Sequence, residues 1–279
     1  GARARQIRDA LFENDTFDAA DMLAIQYDDR AIFLARWRDL LLRVLDDATV
    51  ANEPDLAEYR RLVAEWIPRA APESVGYRLV RGFRYSARTL VFEALMAPVR
   101  GRYDDPVVLR ISNQFEGPLW QLANEQPLHL LPANYASWNE LLVAAVREHI
   151  RWLAERHDGP LAERTWGEHN TAAITHPLSR ALPVLSGWLD MPAVPMNGDS
   201  NVPKAQGPSF GASERFSVFP GDEANSLMQM PGGQSGHPLS PYYRAGHEDW
   251  LHARPSPFSP GAARHTLTLV PASGNMAAD

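Results

Sequence analysis

Gly232-Gly233-Gln234-Ser235-Gly236-His237-Pro238-Leu239-Ser240-Pro241-Tyr242-Tyr243 is the stretch on which the reading of this chain turns, and it runs on to Trp250. Glycines on either side of Gln234-Ser235 suit a tight turn with positive-φ positions and close backbone approach. Ser235 invites comparison with a nucleophile elbow, but Gly-x-Ser-x-Gly requires glycine where His237 stands. The spacing therefore predicts a structural turn whose side chains satisfy buried backbone groups.

Working outward, the chain has 279 residues, 45% hydrophobic and 22% charged, enough for a substantial core in one or two domains. A formal net charge of -7 argues against a nucleic-acid partner, which needs a basic surface. No window approaches the ~18 uninterrupted apolar residues of a membrane span. The opening residues carry Arg3, Arg5 and Arg8 without an apolar run, unlike a signal peptide. With no cysteine, disulfides, thiolate metal sites and cysteine nucleophiles are excluded.

Residues 1–160 read as a helical region. Phe17-Asp18-Ala19-Ala20-Asp21-Met22 has an N-cap in Asp18, an acidic first turn in Asp21 and a staple pair in Phe17 and Met22. Met22, Ile25, Ile32, Phe33, Leu40, Leu41 and Val44 then follow at helical spacing. Further helices are predicted from about Pro54 to Trp66, Ser74 to Met96 and Ala136 to His157, with short ones between 105 and 136. Gly76 and Gly82 weaken the Ser74 to Met96 pattern.

Residues 161–279 form a loop-rich region. Pro, Gly, Asn and Ser dominate from Thr165 to Ala212. Short strands are predicted at Arg215 to Phe219, Leu227 to Met230 and His265 to Val270, before a small polar tail from Pro271 to Asp279. The fold class is α+β, and so few scattered strands suit a piece cut from a larger sheet.

Five blocks resemble the penicillin acylase family. They are Ala20-Asp21-Met22 through Ile25-Gln26-Tyr27-Asp28-Asp29-Arg30, Trp166-Gly167-Glu168-His169, His176-Pro177-Leu178-Ser179 with Asp190-Met191-Pro192, Gly198-Asp199 with Gly211-Ala212-Ser213-Glu214-Arg215, and Gly233-Gln234-Ser235-Gly236 with Ser240-Pro241. Family members commonly follow the last with Ser-Pro-His-Tyr-Asp-Asp-Gln. Here Tyr242, Arg244 and Ala245 replace the histidine and the acidic pair, so substrate assignments do not carry over directly.

The resemblance implies a fragment of the αββα N-terminal-nucleophile hydrolase fold, from the C-terminal part of the β chain. It also implies autoproteolytic processing and attack by an N-terminal serine on an N-acyl amide. Because the chain opens Gly1-Ala2, that serine and the oxyanion asparagine are expected upstream, leaving no catalytic residue here and a fragment inactive alone. Gly233, Gln234, Ser235, Gly236, His237, Ser240, Glu168, His169, His176 and Arg215 are expected to be structural or cleft-lining. The implied partners are the upstream acylase polypeptide and a small N-acyl amide, with neither nucleic acid nor membrane. The implied setting is periplasmic or secreted, in antibiotic biosynthesis or resistance. A structural calcium is implied for the whole enzyme, but no ligand or cofactor is assigned to this chain. The alternative is a non-catalytic binding module derived from the acylase C-terminus.

The residues alone support less. Nine histidines include no His-Glu-x-x-His pattern, and His247-Glu248-Asp249 reads as solvated. Arg78, Arg81, Arg84 and Arg88, three or four apart, read as a solvated or ion-paired helix face.

Overall fold

The computed structural model describes residues 1–100, 102–103, 110–209, 211 and 214–270. Ala212, Ser213 and the tail from Pro271 lie outside the described residues, as do residues 101, 104–109 and 210.

Eight helices carry most of the described N-terminal region: α1 (Ala2–Leu11), α2 (Ala19–Gln26), α3 (Ile32–Val44), α4 (Asp47–Val50), α5 (Pro54–Ala64), α6 (Val75–Met96), α7 (Glu116–Glu125) and α8 (Trp138–Ala154). The caps explain where they begin. Asp18 and Asp21 form a reciprocal capping box, Asp21 N–H donating to Asp18 Oδ1 at 2.8 Å. Ser74 and Ser137 accept from the N–H groups of Tyr77 and Glu140, and Pro54 opens α5.

One continuous helix between Asp18 and Val44 is not what forms. Backbone bonds to distant segments hold residues 27–31 out of helical geometry. Ala31 N–H donates to Pro68 O at 2.9 Å, Ala70 N–H to Asp29 O at 2.8 Å and Lys204 N–H to Asp28 O at 2.9 Å. Beyond the break, Leu34, Trp37, Leu40, Leu41 and Val44 face inward, while Met22 and Ile32 are exposed.

The core gathers α3, α5, α6 and α8 around Trp37, Tyr59, Tyr77, Phe83 and Trp138. α6, 22 residues and about 33 Å long, packs most extensively against α8. The two glycines that weakened the α6 pattern are the points of closest approach. A Cβ on Gly76 would lie 2.7 Å from Leu62 O, and one on Gly82 would lie 2.0 Å from the His149 ring. Glycine's helix penalty of about 1 kcal/mol is accepted where no larger residue fits.

The loop-rich region contains α9 (Trp166–His169), α10 (Pro177–Ala181), α11 (Ser186–Leu189) and α12 (His247–His252), with a small second core of Ala172, Met196, Trp250 and Leu251. Strands β1 (Arg215–Ser217) and β2 (Leu227–Gln229) pair antiparallel with Phe216 opposite Met228. The alternation is inverted from the usual: Arg215 and Ser217 point inward and Phe216 outward. His265 to Val270 forms no strand. It has no pairing segment among the described residues, and Leu267 and Leu269 are over 80% exposed. No described helix is long and apolar enough to cross a membrane.

Candidate functional site

The motif residues stitch the loop-rich region onto one side of α6. Gly167 N–H donates to Pro72 O at 2.7 Å, and a Cβ there would lie 2.9 Å from both Pro72 O and the Pro195 side chain. Trp166 Nε1 donates to Gly198 O at 3.0 Å, and its ring meets Tyr77 edge-on. Asp199 is buried and accepts from Tyr77 Oη at 2.9 Å and Arg81 Nε at 2.6 Å. Asn170 Nδ2 donates to Met196 O and Gly198 O at 2.9 and 3.1 Å, tying the loop to itself.

Three of the four arginines in the row are ion-paired, and the fourth is hydrogen-bonded. Arg78 pairs with Glu168, Arg81 with Asp199 and Arg84 with Glu116, while Arg88 donates to Ser112 O at 2.9 Å. Spacing of three and four residues thus points four cations at four different segments.

Glu168 and His169, adjacent in sequence, separate in role. The Glu168 carboxylate is shared by Arg78, Arg164 and His157, at 2.8 Å from Arg164 NH1 and 3.2 Å from His157 Nδ1. His169 lies tilted over Trp166 at 5.0 Å and makes no hydrogen bond among the described residues. Burial, then the nearby Arg81 and Arg78, lowers its pKa to about 4, so the ring is neutral near pH 7.

His176 is the N-cap of α10, its Nδ1 accepting from Leu178 N–H at 3.1 Å. Its own N–H donates to Asp190 Oδ1, as does Ser179 Oγ, which joins the His-Pro-Leu-Ser and Asp-Met-Pro blocks. Those two hydrogen bonds, Ser179's first, hold the Asp190 pKa below the usual carboxylate value.

Arg215 is buried between the rings of Tyr27 and Trp250, 4.9 Å from each, and donates to Gln206 Oε1 at 2.7 Å. Lys204 Nζ lies 5.0 Å over the same Tyr27 ring, and burial and then Arg215 lower its pKa to about 8. Aromatic faces and carbonyls stand in for carboxylates around these two cations.

In the Gly232–Tyr243 turn, His237 N–H donates to Ser235 Oγ and Tyr242 N–H to Ser240 Oγ, each at 3.2 Å, while Leu239 N–H donates to His237 Nδ1. Gly233 is the obligatory glycine: its N–H donates to Tyr243 O at 3.0 Å, and a Cβ would lie 1.6 Å from Tyr242 O. The turn lies at the surface. Gln234, Gly236 and His237 are exposed, and the amides bound by Ser235, His237 and Ser240 face solvent, which corrects the expectation that these side chains satisfy buried backbone groups.

A groove of about 400 Å³ opens between α6 and α8, walled by Tyr85, Trp152 and Trp166 with His149 and His169. His149 was not singled out from the sequence, although a histidine at the place of an apolar stripe residue, after Leu142 and Ala145 and before Leu153, was a visible signal. Asn170, Asp199 and Lys204 gave none that marked their roles. Among the described residues no three His, Asp or Glu side chains are placed together to hold a metal ion.

A family model described as penicillin amidase matches residues 1–264. Penicillin acylase 2 proenzyme of Pseudomonas sp. (strain SE83) is similar at 33% identity over 122 residues. That match takes in 41% of this chain and 15% of the relative's length.

Proposed function

Because the chain belongs to the penicillin amidase family, we propose that it is the C-terminal segment of an amide hydrolase whose nucleophile lies outside these 279 residues. In this reading an N-terminal serine attacks an N-acyl amide, such as a β-lactam side chain or an acyl-homoserine lactone. The serine's own α-amine, with an unperturbed pKa of about 7.7 to 8, takes the hydroxyl proton. Oxyanion donors stabilise the tetrahedral intermediate, and water then releases the acid.

One observation carries the division of labour. Ser235 and Ser240 each accept a backbone N–H, and no imidazole or carboxylate is hydrogen-bonded to either among the described residues. A serine within the chain, which has no α-amine of its own to act as base, needs a neighbouring one. Likewise Glu168 is engaged by three cationic or imidazole partners, and His176 caps a helix. These residues serve as framework.

The proposed partner is the remaining acylase polypeptide, and a process of precursor cleavage is consistent with the word proenzyme in the relative's name. Exposed Leu178, Leu182, Val184 and Trp188 in and around α10 and α11 form an apolar surface that such a partner would cover. A periplasmic or secreted setting belongs to the same proposal.

Assay of a chromogenic N-acyl amide, with N-terminal sequencing, tests it. The complete protein is expected to hydrolyse the amide and to contain a serine-led chain, while residues 1–279 alone are inert. Hydrolysis by residues 1–279 alone would overturn the reading. A complete protein with neither activity nor a serine-led chain would favour a binding module.

A further inference from the structure

The groove between α6 and α8 has acceptor chemistry that nothing in the framework role uses. Tyr59 Oη has one proton and donates it to Leu79 O at 2.6 Å, since a carbonyl can only accept. Its 2.8 Å contact with His149 Nδ1 must therefore be an imidazole N–H donating to Oη. Burial, with Arg78 and Arg81 nearby, lowers the His149 pKa to about 3, so the ring is neutral and Nε2 carries a lone pair.

No donor meets that Nε2 among the described residues. The residue is 5% exposed, yet Nε2 is not among the sealed unsatisfied atoms, and His149 lines the groove. The lone pair is the accessible edge of an otherwise buried side chain. His169, on the same groove and equally neutral, offers a second ring nitrogen without a partner.

The charges around the groove exclude ions of either sign. Arg81 is held by Asp199, Arg78 by Glu168 and Glu148 by Arg151, so no charge on the groove wall is left unpaired to meet an ion. What remains is aromatic. Trp152 stacks on His149, and the Arg81 guanidinium lies 4.7 Å from the Tyr85 ring and 4.9 Å from that of Trp166. The volume sits at the lower end of the ~300–1,000 Å³ typical of small-molecule sites.

We propose that this groove binds a small uncharged aromatic molecule that donates an O–H or N–H to His149 Nε2, with its ring against Trp152, Tyr85 and Trp166. The site does not depend on the hydrolase reading. Phenol and indole satisfy both demands; toluene lacks the donor and benzoate carries a charge.

Calorimetric titration of the complete protein with these four probes decides it. Phenol and indole are expected to bind at least tenfold more tightly than toluene and benzoate. Ser86→Phe, on the groove wall and outside the hydrogen bond between His149 and Tyr59, is expected to abolish binding with Tm unchanged. His169→Phe, which keeps an aromatic wall, is expected to weaken phenol severalfold at most. Equal affinity for toluene and phenol would overturn the acceptor assignment, and tightest binding of benzoate would overturn the exclusion of anions. Absence of all binding would show that the polypeptide itself fills the groove, and would overturn the proposal.

Discussion

Trp37 and Arg215 are both almost wholly buried, and their surroundings could hardly differ more. Trp37, in the helical region, meets Phe83 and Trp120 edge-on at 6.2 and 5.2 Å inside a close-packed apolar core, with a single polar contact, Nε1–H donating to Glu116 Oε1 at 3.0 Å. Arg215, in the loop-rich region, lies between two rings with a glutamine and a carbonyl for its protons. The first environment depends chiefly on shape and volume, with one hydrogen bond beside the packing. The second depends on particular donors and acceptors, because a buried polar group left unpaired costs about 1–3 kcal/mol and a charge more. Helices with apolar stripes fold by periodicity; the loops are held by named polar contacts to α6.

The sharpest way to break this contrast is Asp199→Ala. It would leave Arg81 without its carboxylate and Tyr77 Oη without its acceptor, both well inside the protein. The expected loss is about 3–5 kcal/mol in chemical denaturation. A loss no larger than that of an exposed ion pair would mean that the loops are not held by these contacts.

Gly82→Ala attacks the junction itself. The new methyl would fall 2.0 Å from the His149 ring, and the expected cost is about 3 kcal/mol, the upper end for an overpacked core. Unchanged stability would show that α6 and α8 do not approach as closely as described.

Acid separates the regions by a different route. The folded-state pKa of His149, about 3, lies below the usual 6.5, so the unfolded chain takes up the proton first as pH falls. Its contribution is complete above pH 6.5 and is lost progressively toward pH 3. Between pH 6.5 and 5 that amounts to about 2 kcal/mol. His169 adds to the loss with the same sign, by less because it is partly solvated. Denaturation midpoints at pH 7 and pH 5 check this; a flat profile would contradict the neutral, buried His149.

Ser235→Ala is expected to do least. It removes one acceptor from a half-exposed turn and should change stability by under about 1 kcal/mol, with hydrolysis by the complete protein unaltered.

The same contrast explains what could be read from the sequence. Pro54, Ser74 and the stripes on α5, α6 and α8 announced those helices, because caps and periodicity act within a few residues. The interruption at residues 27–31 was not legible, since its partners are Pro68, Ala70 and Lys204, far along the chain. His265 to Val270 has a strand's alternation and no strand beside it, and alternation without a partner forms no sheet. In the candidate site, the motifs located Glu168, His169, His176 and Arg215, but adjacency said nothing of roles that depend on which way each side chain turns. Asp199 was visible only as part of Gly198-Asp199, and the arginine it neutralises stands on another element.

The most direct measurement is to treat the complete protein with a serine-reactive sulfonyl fluoride and map the modified peptide by mass spectrometry. The account predicts loss of hydrolysis with the label on an N-terminal serine outside these 279 residues. A label on Ser235 or Ser240 that accompanies the loss would contradict it and place the chemistry in this chain.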